Sequence, residues 1–160
     1  EVTRRIKREY NLPINEDGGD ITQTMIMSDH IANIFRKYDS DVILDRCVLD
    51  GVVYTQWLHN KGKVSKEVLQ WSKKIYNTLI DKYDAIFVTS PDDVPLVDDG
   101  ERSVDIDFRE EIIAIFNMYI DDMKIYSREV NMFVVEGTVE ERMKYIKNIL
   151  EVKGLDIKIK

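Results

Sequence analysis

Cysteine, histidine, proline and positive charge are all scarce in this chain, and each scarcity removes a class of protein. A single cysteine, Cys47, excludes an internal disulfide, and with only two histidines beside it there is no Cys/His cluster of the zinc type. Three prolines and seven glycines leave no low-complexity run, and no internal repeat is visible. Lys and Arg number 23 against 30 Asp and Glu, a net charge of −7, which disfavours sequence-independent binding to a long nucleic acid. A local basic patch stays open. No apolar stretch approaches the roughly 20 residues that cross a bilayer. No membrane partner is therefore expected, and with no signal peptide visible a cytoplasmic location is expected. Oligomeric state is not legible.

At 160 residues, 44% apolar and 33% charged, the chain has the length of one domain with a real core. It opens Glu1-Val2-Thr3-Arg4-Arg5 without an initiator Met, so a fragment or processed start is expected.

The stretch that organises the rest is residues 41–50. The apolar run Val42-Ile43-Leu44 stops at Asp45-Arg46, and a helical pattern begins a few residues later. A short apolar run between helices predicts a strand buried on both faces of a parallel sheet. Ligands collect at the carboxyl ends of such strands, where Asp45 and Arg46 fall. A carboxylate and a guanidinium placed there suit Mg²⁺ and phosphate, with Asp45 holding metal or water and Arg46 gripping phosphoryl oxygens. The alternative is an ion pair closing a strand end.

Elsewhere the pattern alternates. A basic helix is predicted over residues 1–10, and an acidic Gly-rich connection over 15–20. An amphipathic helix is predicted over 22–37, with Met27, Ile31, Ile34, Phe35 and Tyr38 at helical spacing and His30 without a role. A short helix is expected over 49–59, and a longer one, N-capped by Ser65, runs to about residue 82. Ala85-Ile86-Phe87-Val88 reads as a second strand. Residues 91–107 form a long acidic loop of the kind that becomes a lid. A strong helix follows over 107–124, capped by Asp105 or Asp107, then a third strand over 130–135. Gly137 turns the chain, and Thr138-Val139-Glu140-Glu141 is a capping box opening the last helix, which Gly154 closes. This alternation predicts an α/β fold, a parallel sheet with helices on both faces.

The segments Glu1-Val2-Thr3-Arg4, Asp41-Val42-Ile43-Leu44-Asp45-Arg46 and Tyr83-Asp84-Ala85-Ile86-Phe87-Val88 come in order. They are followed by Asp98-Asp99-Gly100-Glu101-Arg102, by Asp107-Phe108-Arg109, and by Val134 through Arg142. Together they resemble the P-loop nucleoside and nucleotide kinase superfamily. Within it, the likeness is to the AAA-type ATPase/kinase group that includes the nicotinamide riboside kinase domain. The resemblance covers nearly all of the chain, and the Asp-Gly-x-Arg of the lid is its most specific part.

That resemblance implies a single three-layer α/β/α domain, with ATP and Mg²⁺ as cofactors. The implied activity is ATP-dependent phosphoryl transfer to a nucleoside, a nucleotide or a nicotinamide riboside. In such a site Asp45 would serve the Mg²⁺ shell or orient the acceptor hydroxyl. Arg46 would contact the acceptor or the transferring phosphate. Arg102 would be the lid arginine over the nucleotide phosphates, with Arg109 a second candidate. Glu1 and Arg4 would lie by the acceptor, and Gly137 and Thr138 near the adenine. The chain departs from the group in one respect: no Gly-x-x-x-x-Gly-Lys-Ser/Thr occurs in it, so the phosphate-binding loop is expected upstream of Glu1. Two alternatives stand beside this reading. One is a catalytically silent nucleotide- or partner-binding regulatory domain. The other is a kinase acting on a modified base in DNA, supported by the basic cluster from Arg4 to Arg8.

Overall fold

The computed structural model describes residues 2–93, 105–125 and 131–155. Its helices are α1 Val2–Tyr10, α2 Asp20–Phe35, α3 Val48–Asn60, α4 Lys66–Leu79, α5 Ile106–Ile125 and α6 Val139–Val152, and its strands are β1 Ile86–Thr89 and β2 Met132–Val135. The strands pair in parallel, Ile86 opposite Met132 and Thr89 opposite Val135. Parallel neighbours need a crossover connection, and α5 lies in the stretch that joins them. The chain thus adopts the α/β class, rich in helix and with a small parallel sheet.

The core is built on α3, which packs against α2, α4 and α5. Val48, Leu49, Val52, Val53, Thr55, Trp57 and Leu58 are all buried, and a helix closed off around most of its circumference belongs to an interior. Each fully buried Val or Leu contributes about 1.5–3 kcal/mol. Gly51 faces α2, where a Cβ would stand 2.8 Å from the Met27 Cε, so the end of that methionine would have to shift to admit one. Across α3, Trp57 meets the Phe108 ring edge-on at 4.6 Å and donates through Nε1 to Glu111 Oε2 at 2.6 Å. Lys61 Nζ donates to the other oxygen of Glu111 at 2.9 Å. Phe108, Ile112, Tyr119 and Met123 form the buried stripe of α5.

The predicted caps form. Ser65 Oγ accepts from Val68 N at 3.3 Å, Asp105 Oδ1 accepts from Phe108 N at 3.0 Å, and Thr138 and Glu141 close a reciprocal box. Gly137 and Gly154 sit at φ +89 and +70, the left-handed region that glycine enters at least cost.

Three expectations need correction. The run 42–44 is not a strand: it is irregular chain, with Val42 and Ile43 40% and 56% exposed. A strand needs a neighbour for its backbone N–H and C=O groups, and among the described residues β1 and β2 pair only with each other. Apolar content alone did not supply that neighbour. Second, Phe35 and Tyr38 face solvent, because α2 ends at Phe35 and buries a different face, Thr22, Gln23, Ile26, Met27 and His30. Third, the long loop is shorter at both ends, with a single 3-10 turn over Pro91–Asp93 and α5 starting at Ile106. The rest of the expected lid, Gly100 and Arg102 included, lies outside the described residues, as do Glu1 and residues 156–160.

Candidate functional site

The segment that leads into α3 carries one of the three non-glycine residues with positive φ among the described residues, the others being Asn11 and Asn15. Arg46 is held at φ +71, a conformation that costs a non-glycine residue about 1–3 kcal/mol and is maintained only by its surroundings. Those surroundings come from α3 itself. Asp50, at the third position of the helix, accepts from Cys47 N at 2.9 Å and stands 3.7 Å from the Arg46 guanidinium. Tyr54, one turn further on, places its ring under the same guanidinium at 5.5 Å. Solvent still reaches Arg46, whose side chain is 46% accessible, because it lines an open concavity with protein atoms close around it. Burial opposes its charge, but Tyr54 and Asp50 outweigh that effect and raise its pKa further above the usual arginine value.

Two cavities meet at this point. The larger, about 1070 Å³, is lined by residues 41–47, by β1 and by the α5 side chains Phe108, Arg109, Ile112 and Phe116. The smaller, about 320 Å³, lies under α1 and is lined by Thr3, Arg4, Ile14, Asn15, Gln23, Ile26, His30 and Gly51 among others. Asn15, Asp45, Arg46, Asp50 and Tyr54 line both. An acid and a guanidinium therefore face the junction of a large, mostly apolar space and a small polar one.

Among the residues read from sequence, Arg4, Asp45 and Arg46 come together around the small pocket. Arg109 faces the large cleft from the first turn of α5, with Nη2 donating to the Pro91 carbonyl. Gly137 and Thr138 line neither cavity: the Gly137 N–H donates to Asp93 Oδ2 at 2.7 Å, and Thr138 caps α6. Glu1 and Arg102 lie outside the described residues.

Sequence reasoning missed Asp50, Tyr54, Asn15, Gln23 and His30. The first two were findable, since they follow Arg46 at four and eight residues, the spacing that keeps side chains on one helix face. Gln23 and His30 are each 2% exposed, seven residues apart on α2, and polar residues on a buried face are invisible to a hydrophobic pattern. Burial pulls the His30 imidazole below the ordinary histidine value, only partly offset by Asp50. Cys47 is not a nucleophile candidate, because burial, helped by Asp50, pushes its thiol up to about 12. No group of three or more His, Cys, Asp or Glu able to cage a metal occurs among the described residues. None of the described helices is long and apolar enough to cross a membrane.

The structure thus sets these residues in an α/β domain at the junction of two cavities. Comparison with known families makes this specific: a family profile described as an AAA domain matches residues 8–142, and the chain belongs to that family. No curated protein and no solved structure matches it.

Proposed function

We propose that this AAA domain transfers a phosphoryl group from ATP to a small molecule of the nucleoside, nucleotide or nicotinamide riboside type, in the cytoplasm. The observation that carries the reading is the position of Asp45 and Arg46 where the two cavities meet, one space for each substrate. Phosphoryl transfer asks little covalent chemistry of a protein. It asks for alignment and for charge placed where the transferring group passes.

Arg46 supplies a charge that stays on at any physiological pH and is fixed in direction by Asp50 and Tyr54, so little reorganisation is needed when the phosphoryl group moves. Asp45 accepts the acceptor hydroxyl and aligns it. Mg²⁺ fits this donor set only as a shared ligand: it binds through one or two carboxylates plus substrate phosphates rather than in an all-protein cage, and Asp45 is the carboxylate in place. When bound, the ion neutralises charge on the nucleotide phosphates. Arg109 faces the nucleotide side of the cleft. Arg102 serves as lid arginine and Glu1 joins Arg4 at the acceptor, whereas Gly137 and Thr138, which line neither cavity, have no part in this reading.

The sequence carries no Gly-x-x-x-x-Gly-Lys-Ser/Thr. Under this reading turnover depends on a phosphate-binding loop of that kind. The test is ADP release by the full-length protein with ATP, Mg²⁺ and a panel of nucleosides, nucleotides and nicotinamide riboside. At least one acceptor should raise the rate well above that of ATP alone. Nucleotide binding without release for any acceptor would replace the kinase with the silent regulatory domain.

A further inference from the structure

The small pocket under α1 has a balance of charge that speaks to what it holds. Its described cations are Arg4 and Arg46 and its described acids Asp45 and Asp50, two of each. Arg46 already stands 3.7 Å from Asp50 and over the Tyr54 ring. A phosphate or carboxylate ligand is favoured by cationic donors in excess, and the described lining holds two cations against two carboxylates. His30 adds none, because its burial favours the neutral imidazole.

The remaining polar groups are neutral and mixed. Thr3 and Tyr54 offer hydroxyls, Asn15 and Gln23 amides, and His30 a ring with one donor and one acceptor. Gln23 and His30 are almost fully buried, and the Gln23 amide lies 3.1 Å from Thr55 Oγ1, whose single proton goes to the Gly51 carbonyl at 2.7 Å. Buried and pre-set donors and acceptors read hydroxyl groups, and a carboxylate is a usual partner of a ribose hydroxyl. A space of about 320 Å³ suits a pentose with part of an attached ring.

We infer that this pocket recognises the uncharged sugar of an unphosphorylated nucleoside, with Gln23 and His30 as the specificity-determining residues on its floor. The inference deepens the kinase reading and rests on it for the identity of the second substrate. It narrows the acceptor to a molecule that arrives without a phosphate and leaves with one.

Binding tests it without turnover. Calorimetry of the full-length protein with adenosine, guanosine, cytidine, uridine and thymidine, and with their 5′-monophosphates, should find at least one nucleoside bound tenfold or more tighter than its monophosphate. Gln23→Leu should weaken that nucleoside at least tenfold. Because a change on a buried floor can unfold the chain, Asn15→Gly is the second variant: it removes the side chain while keeping a residue at ease at φ +54, and is expected to weaken binding severalfold with a nearly unchanged thermal midpoint. Monophosphates bound as tightly as nucleosides or tighter, or nucleoside affinity unmoved by both variants, overturns the inference. ADP release with monophosphates alone would overturn it and leave the kinase intact. Selective nucleoside binding without any ADP release would uphold the pocket and remove the kinase.

Discussion

Two regions of this molecule treat their apolar residues in opposite ways. Around α3 the side chains of Val48, Val52, Val53 and Leu58 are sealed from solvent on contact with three neighbouring helices. Along residues 42–44, Val42 and Ile43 stay about half exposed beside an open cleft, and Val134 of β2 is half exposed as well. Stability is therefore concentrated in the helices, and the space for ligands lies where the sheet side is left unfilled. The site sits on the border, with Asp45 and Arg46 on the open side and Asp50 and Tyr54 on the closed one. Helix supports and accessible charged groups are the combination that the proposed transfer reaction requires.

The sharpest way to break this contrast is to open the helical region. Leu58→Ala removes a side chain with no exposed surface and is expected to cost about 2–5 kcal/mol, read from denaturant unfolding. A cost below about 1 kcal/mol would show that α3 is not the stabilising centre.

A smaller effect sharpens the border itself. Burial holds the His30 pKa below that of the unfolded chain, so as pH falls through about 6.5 the unfolded state takes up a proton that the folded state refuses. Stability should be level near pH 7.5 and decline toward pH 5.5, and His30→Gln should flatten that slope even though it lowers the overall stability. Parallel pH profiles for parent and variant would mean that His30 titrates freely.

The smallest effect is on the open side. Ile43→Ser should change stability by no more than about 0.5 kcal/mol, because the residue is mostly exposed and pairs with no strand among the described residues. A loss of several times that amount would place Ile43 in a sheet after all.

What could be read from the sequence follows the range of the interactions involved. Ser65, Asp105 and the Thr138/Glu141 box were legible because a cap is a contact three residues long. So was the α5 stripe, whose period is set by the helix alone. The run 42–44 misled because a strand is made by its partner, and the partner is not written in the run itself. Asp45 and Arg46 were singled out as the end of a strand that does not form; what the structure shows of them is an exposed corner before α3 that lines both cavities. The left-handed backbone of Arg46 left no trace in its residue type, and His30 and Gln23 were passed over because polar side chains on the inward face of α2 look like ordinary surface residues.

The most direct measurement compares Asp45→Asn with the parent in the full-length protein, using ADP release with ATP, Mg²⁺ and a productive acceptor, and a thermal melt to verify equal folding. The account predicts a fall of at least about 10²-fold in turnover with the melt unchanged. Equal turnover in a folded Asp45→Asn protein would contradict it.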